Sequence, residues 1–159
     1  MEISLVSFLD VPYELQLKTR DWRNSEAVAK YFKIPYISEE QHKKWLENLK
    51  KENPSSIAFI INKDSVPIGV TYFHTINYEN KIADWGIYIY DENARGLGIG
   101  KIVLSDCLKF AKYSLNLSAV YLDVLKNNNR AIKLYESLGF KYIDSNNENF
   151  LRYINKLQL

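Results

Sequence analysis

Apolar positions recur along this chain with two spacings, every second residue or every third to fourth, and the switches between them divide it into elements. Ile3, Leu5 and the pair Phe8-Leu9 predict a first strand that ends at Asp10-Val11-Pro12. Residues 13–20 carry Leu15 among apolar neighbours and predict a short helix, interrupted by the polar stretch Asp21-Trp22-Arg23-Asn24. Ala27, Val28, Tyr31 and Phe32 share one side of a second helix over residues 25–33, which Pro35 ends. Ser38 and Gln41 have the spacing of a capping box, so a third helix starts there and runs to about residue 51 with Trp45, Leu46 and Leu49 inward. His42 lies near that face. Residues 57–61, 66–76 and 82–90 read as three successive antiparallel strands, with turns at Asn62-Lys63-Asp64 and Asn77-Tyr78-Glu79-Asn80. Strict alternation puts Tyr72 and His74 on one face of the middle strand and Thr71, Phe73 and Thr75 on the other. Asp84, Gly86, Tyr88 and Tyr90 share a face of the next strand. Val103, Leu104, Cys107, Leu108 and Ala111 form the inward stripe of a helix, which makes Cys107 a packing residue. Residues 119–124 predict a fifth strand, residues 126–129 a turn and N-cap, and Ala131, Leu134, Tyr135 and Leu138 a short helix closed by Gly139. Residues 140–143 and 149–157 complete the pattern as a hairpin. No repeat or linker interrupts it, so a single domain over residues 1–159 is expected.

Composition narrows the function more by exclusion than by indication. With 47% hydrophobic and 25% charged residues, the chain has the balance of a soluble globular protein. A net charge of +2 with scattered basic residues argues against a nucleic-acid partner. One cysteine excludes an internal disulfide, and two well-separated histidines, His42 and His74, give no metal-ligand spacing, so no metal is expected. The longest apolar run, Ile57-Ala58-Phe59-Ile60-Ile61, is too short to cross a membrane, and the N-terminus lacks the charge pattern of a secretory signal. A cytoplasmic location without a membrane partner is the expectation. Twelve tyrosines suggest a cleft or interface rich in rings that are apolar on the face and polar at the tip.

The candidate chemistry begins at Arg95-Gly96-Leu97-Gly98-Ile99-Gly100, between a strand and a helix. Alternate glycines leave several N–H groups unobstructed at a helix N-terminus, where orphan donors and the dipole favour an anion. Arg95 adds a fixed cation suited to a phosphate oxygen. Two other phosphate loops are excluded: a P-loop needs Gly at position 95 and Ser or Thr at 102, and a dinucleotide fingerprint needs Gly at 101. The stretch reads as a pyrophosphate cradle.

That loop resembles the pyrophosphate motif R/Q-x-x-G-x-G/A of the GNAT superfamily of N-acetyltransferases. The stretch from Val124 through Asn128, Ala131, Leu134, Tyr135 and Glu136 to Gly139-Phe140 resembles its second signature, V-x-x-x-N-x-x-A-x-x-L-Y-E-x-x-G-F. The two motifs are separated by one helix and one strand, as in that family. The resemblance implies an α/β (α+β) fold with a mixed, mostly antiparallel sheet of about seven strands, about four to five flanking helices, and a splay between strands four and five. It implies acetyl-CoA as donor and a primary amine as acceptor. Ile87, Ile89 and Tyr90 would pair with the pantetheine arm as an added strand. Arg95, Gly96, Leu97, Gly98, Ile99 and Gly100 would hold the pyrophosphate, Asn128 would touch the pantetheine side, and Tyr135 would be the general acid. No Glu stands at the family's usual place on strand four, so His74, Tyr72 and Asp123 remain open as the base.

The segments Arg20-Asp21-Trp22-Arg23-Asn24 and 37–45, with Ile37, Ser38, His42 and Trp45, resemble the acetyltransferases of pseudaminic acid biosynthesis. This implies the 4-amino group of UDP-4-amino-4,6-dideoxy-N-acetyl-β-L-altrosamine as acceptor, in the service of flagellin glycosylation. Arg23 suits a diphosphate and His42 a phosphate or base, while His74, Thr75 and Tyr88 suit a sugar pocket. An N-terminal or side-chain acetyltransferase of proteins and a non-catalytic acyl-CoA-binding module are the alternatives. Nothing in the sequence indicates an oligomeric state.

Overall fold

All seven strands of the computed structural model, which describes residues 1–157, lie in one sheet. They are β1 (Ile3–Ser7), β2 (Ile57–Lys63), β3 (Val66–Asn77), β4 (Ile82–Ile89), β5 (Ala119–Leu125), β6 (Lys141–Asn147) and β7 (Phe150–Lys156), in the order β1-β2-β3-β4-β5-β7-β6. Every neighbouring pair is antiparallel except β4 and β5, which are parallel. The expected mixed sheet is therefore present. Residues 158 and 159, the end of the expected domain, lie outside the described residues.

Helices cover both faces: α1 (Tyr13–Asn24), α2 (Glu26–Ala29), α3 (Glu39–Leu49), α4 (Ile99–Tyr113) and α5 (Asn129–Ser137). Residue alternation along the strands supplies two cores. Ile61, Phe73, Trp85 and Val120 pack against Val103, Leu104, Cys107 and Ala111 of α4, with Ala131, Ile132 and Tyr135 of α5 at the margin. Ala58, Ile60 and Val70 face the other way, onto Phe8, Trp22, Leu46 and Leu49. Cys107 is buried as expected, its Sγ 3.7 Å from Thr71 Oγ1.

Three sequence expectations are corrected. The first helix does not break at residue 21, because a buried stripe of Gln16, Thr19 and Trp22 continues through the polar stretch. Its first two members are polar, and both are satisfied locally: Gln16 Nε2 donates to Phe8 O at 2.6 Å and Thr19 Oγ1 to Gln16 O at 2.7 Å. Secondly, α2 is one turn long, and an irregular segment over residues 30–38 follows it. That segment is pinned back onto α1: Arg20 Nε donates to Ile37 O at 2.8 Å, and Asn24 exchanges hydrogen bonds of 2.9 and 2.8 Å with the Ile37 backbone. The capping box predicted at Ser38 and Gln41 then starts α3. Thirdly, alternation fails on β3. A register shift follows His74, and Thr75 adopts φ +50°, so it does not share a face with Thr71 and Phe73.

The feature that makes a site is the junction of β4 and β5. Their ladder holds only three pairs, Ile82↔Ala119, Ala83↔Val120 and Asp84↔Tyr121. Beyond Asp84 the two strands part, leaving Trp85–Ile89 of one and Leu122–Leu125 of the other as the limbs of a fork.

Candidate active site

The fork opens into a cleft of about 910 Å³ that runs from the start of α4 to the segment over residues 30–38. Its limbs are Trp85 through Ile89 on β4 and Leu122 through Leu125 on β5. Because the ladder has ended, backbone groups on the inner edge of β4 have no strand partner, and an extended ligand can pair with them as an added strand. Ile87 and Ile89 line this edge, whereas Tyr90 does not: its ring stacks on Trp22, centroids 5.2 Å apart, and is half exposed.

At one end the glycine loop forms an anion seat. Gly96 and Gly98 have φ of +77° and +79°, conformations that L side chains resist, and they turn the chain into α4. Gly98 is the N-cap of α4 and provides no side-chain cap, so the helix's first N–H groups stay available for a ligand. Among the described residues, a Cβ at Gly98 would meet no atom beyond its chain neighbours within 4 Å, which leaves room for a phosphate. Arg95 has a different position from the one its motif suggests. Its Nε and Nη2 donate to Ile89 O at 3.1 and 2.8 Å, tying the loop to the end of β4. The cation over the loop is Arg130 of α5, whose Nη2 would lie 3.2 Å from a Cβ on Gly96. Sequence reasoning passed over Arg130 because it occupies a variable position of the second motif. Gly96, Gly98, Ile99 and Gly100 all line the cleft, whereas Leu97 points away and is 47% exposed. The donors, the space and the cation fit the pyrophosphate of acetyl-CoA.

Midway along the cleft α5 presents Tyr135. Asn128 fixes the start of that helix by accepting a hydrogen bond from Ala131 N at 3.3 Å, and its amide borders the cleft. The Tyr135 ring stands edge-on to Trp85, centroids 6.1 Å apart, and leans on Phe140 at 6.0 Å. Burial pushes its hydroxyl up to about 12, so the group keeps its proton at neutral pH. Tyr72 reaches the same region from β3. A Cβ on Gly86 would lie 2.5 Å from its Oη, so only glycine there lets the phenol lie across β4. Burial also raises Tyr72 to about 12.

The opposite end holds a chain of charges. Arg152 of β7 grips Asp84 of β4 through two hydrogen bonds, Nη1 to Oδ2 at 2.8 Å and Nη2 to Oδ1 at 2.9 Å. Its Nη1 also lies 3.3 Å from Asp123 Oδ2, and Lys33 Nζ stands 3.1 Å from that same oxygen. The bond to Asp84, above all, lifts the Arg152 guanidinium above its ordinary range. His74 pairs with Asp84 across the β3–β4 ladder and lines the cleft. Burial lowers its pKa and outweighs the pull of Asp84 and Asp123, so the imidazole is neutral at pH 7. Its Nδ1 is 3.1 Å from Thr75 Oγ1. Thr75 itself is exposed and outside the cleft lining, so the structure brings it to the site only through His74.

The remaining acceptor-side residues form the wall under α1. Tyr88 donates its hydroxyl to Thr19 O at 3.2 Å, and burial raises its pKa. Arg23 donates Nη2 to Ile34 O at 2.6 Å and stacks on Phe32, 3.8 Å from the ring centre. Its Nη1 is buried without a hydrogen-bond partner among the described residues, and burial lowers the pKa of the guanidinium. His42 is buried. Its ring lies 5.7 Å from Trp45, and Nε2 is 2.8 Å from Gln16 O, which makes Nε2 the protonated nitrogen. Burial lowers its pKa as well.

Comparisons with known proteins agree with this geometry. The model of the acetyltransferase (GNAT) family matches residues 17–140. Acetyltransferase PseH of Campylobacter jejuni is 29% identical over 127 residues, 80% of this chain and 77% of that protein. The crystal structure of Campylobacter jejuni PseH in complex with acetyl coenzyme A superposes with a TM-score of 0.73 at 25% identity, over 99% of this chain and 100% of that one. Spermidine N(1)-acetyltransferase of Vibrio cholerae is 26% identical over 117 residues, 74% of this chain and 67% of that protein.

Proposed function

Because this chain belongs to the acetyltransferase (GNAT) family, its reaction is acetyl transfer from acetyl-CoA to an amine, and we propose that the amine is the 4-amino group of UDP-4-amino-4,6-dideoxy-N-acetyl-β-L-altrosamine, in pseudaminic acid biosynthesis. The observation that carries this acceptor is the charge state of the cleft's far end. A polyamine needs uncompensated carboxylates there. Asp84 and Asp123 are both neutralised from within the protein, by Arg152 and Lys33. What remains is an aromatic wall and the guanidinium of Arg23, which lines the cleft and suits an oxygen-rich, anionic acceptor. The likeness to PseH points the same way. A reaction between acetyl-CoA and a nucleotide sugar belongs in the cytoplasm, which is the location we propose.

Acetyl-CoA, when bound, supplies the thioester acyl group. The protein's residues divide the remaining tasks. Gly96 to Gly100, with Arg130 above them and Arg95 bracing the loop, hold the pyrophosphate. The free edge of β4 at Ile87 and Ile89 pairs with the pantetheine arm, bordered by Asn128, and its amides hold the carbonyl oxygen. His74, neutral at pH 7, accepts the proton that the amine sheds. Tyr135 stays protonated and directs its Oη–H at the departing sulfur, stabilising the developing thiolate and giving it the proton as the thiol forms. Arg23, His42 and Tyr88 shape the acceptor wall, and Asp123 keeps its charge tied to Lys33 and Arg152.

CoA thiol release tests the acceptor, using acetyl-CoA with a UDP-4-amino sugar, spermidine and N-terminal peptides in parallel. Turnover on the sugar nucleotide, with a mass gain of one acetyl group on it, is expected. Turnover only on spermidine or only on peptides overturns the acceptor and leaves the acetyl-CoA site standing.

A further inference from the structure

Beside the acceptor end of the cleft lies a second hollow of about 300 Å³, between the end of α2, the β5–α5 turn and the β6–β7 turn. Lys30, Lys33 and Lys126 line it, together with Asn127, Asn147 and Asn149. Among the described residues no carboxylate does so. Phe32, Lys33, Leu125 and Phe150 line both this hollow and the main cleft, so the two spaces adjoin. The walls are tied together: Lys126 N donates to Asn149 O at 2.9 Å, and Asn149 N donates to Asn147 Oδ1 at 2.9 Å. Lys33 reaches Asp123 at 3.1 Å on the cleft side, whereas Lys30 and Lys126 have no ion-pair partner among the described residues. Lys30 and Lys126, the two uncompensated charges of the hollow, repel each other, and a bound anion would reverse the sign of that interaction. The asparagine amides add neutral donors and acceptors of the kind that read a ribose or a base.

We propose that this hollow is the subsite for the diphosphate of the acceptor, with Lys30 and Lys126 as its main phosphate contacts and Lys33 at the passage into the cleft. The inference rests on the nucleotide-sugar reading above and adds to it the place where the nucleotide sits. The sugar would then extend past Phe32 and Phe150 into the cleft, towards His74 and Tyr135. The pyrophosphate of acetyl-CoA has its own seat, since none of Arg95, Gly96, Gly98, Gly100 and Arg130 lines the hollow. Three lysines here also disfavour a polycationic acceptor, which gives the site selectivity against polyamines by repulsion.

A phosphate in this hollow has two possible sources, the acceptor's diphosphate or the 3′-phosphate of CoA, and the experiment separates them. UDP is titrated by calorimetry into protein already saturated with CoA, so that every CoA phosphate site is filled. Wild-type protein should bind UDP under these conditions, more weakly as salt rises, and UDP should inhibit turnover competitively against the acceptor but not against acetyl-CoA. The double variant Lys30→Ala/Lys126→Ala should bind UDP at least 10-fold more weakly and raise the acceptor KM by a similar factor. Its kcat should stay within twofold, with unchanged acetyl-CoA affinity and melting temperature. Lys30→Arg/Lys126→Arg should restore UDP binding. UDP binding that CoA abolishes would assign the hollow to CoA and overturn the proposal. Normal UDP affinity in the alanine variant would overturn it too, even with the sugar nucleotide confirmed as acceptor. If wild type turns over only spermidine or peptides, the acceptor reading fails by that result, and absence of UDP binding then removes the subsite with it.

Discussion

His74 is pulled in two directions: two carboxylates favour its protonation, burial opposes it, and burial wins. A base must be unprotonated to act, so a lowered pKa keeps it competent through neutral pH. We therefore expect kcat/KM to be flat around pH 7 and to fall only as the pH drops below the ordinary histidine value of about 6.5. His74→Gln should lose roughly 10²-fold or more in kcat and should lose that acidic limb. An unchanged limb in the variant would assign the titration to another group. Neither the depressed pKa of His74 nor the burial of His42 is legible in the sequence. His42 is fixed by a hydrogen bond to Gln16 on another helix, and Gln16 is a polar residue that gives no signal of being buried. The place of Tyr135 in the cleft was legible because its motif carries it, whereas that of Arg130 was not, since only folding brings it over Gly96.

Most elements could be read from residue periodicity, and the failures occur where tertiary contacts override it. The capping box at Ser38 is local chemistry and appears where expected. The continuation of α1 through Asp21 depends on contacts with Phe8 and the sheet, which no local pattern encodes. Likewise, the strands that make the fork were legible, but not the residue at which their ladder stops, because pairing is decided between segments that are far apart in the chain. Two substitutions test the elements around the fork. Gly98→Ala forces a left-handed backbone at φ +79° and should cost about 1–2 kcal/mol of stability. Among the described residues the added methyl meets no atom beyond its chain neighbours within 4 Å, so any further loss of acetyl-CoA affinity reports contact with the ligand itself. We expect a clear loss by calorimetry, and an unchanged Kd would remove the loop from the cofactor site. Arg152→Met strands Asp84, whose side chain is 16% exposed, and leaves Asp123 to Lys33 alone. It should destabilise the protein by roughly 2–4 kcal/mol, discounted slightly for that exposure. A melting temperature within a degree of wild type would show that the network does not support the fork.

At the scale of the molecule, two motifs on separate strand–helix units meet at the one parallel junction of the sheet among the described residues, and the cleft they form is the candidate site. That assembly could be anticipated from the order of elements. The acceptor end could not, because its charges come from β4, β5, β7 and the segment after α2, brought together by folding. A ligand spanning the fork should stabilise the whole fold. At about 100 times its Kd, acetyl-CoA should add roughly 2.7 kcal/mol, or about 5–10 °C in Tm for a chain of this size. This sets up the decisive measurement, the turnover of Tyr135→Phe at saturating acetyl-CoA, with the Tm shift recorded alongside to confirm binding. The substitution removes one oxygen from a ring that Trp85 and Phe140 still hold in place. The account predicts an unchanged Tm shift and a kcat lower by about 10²-fold or more. An unchanged kcat with the shift intact would contradict it and mean that the thiolate leaves without a proton from Tyr135.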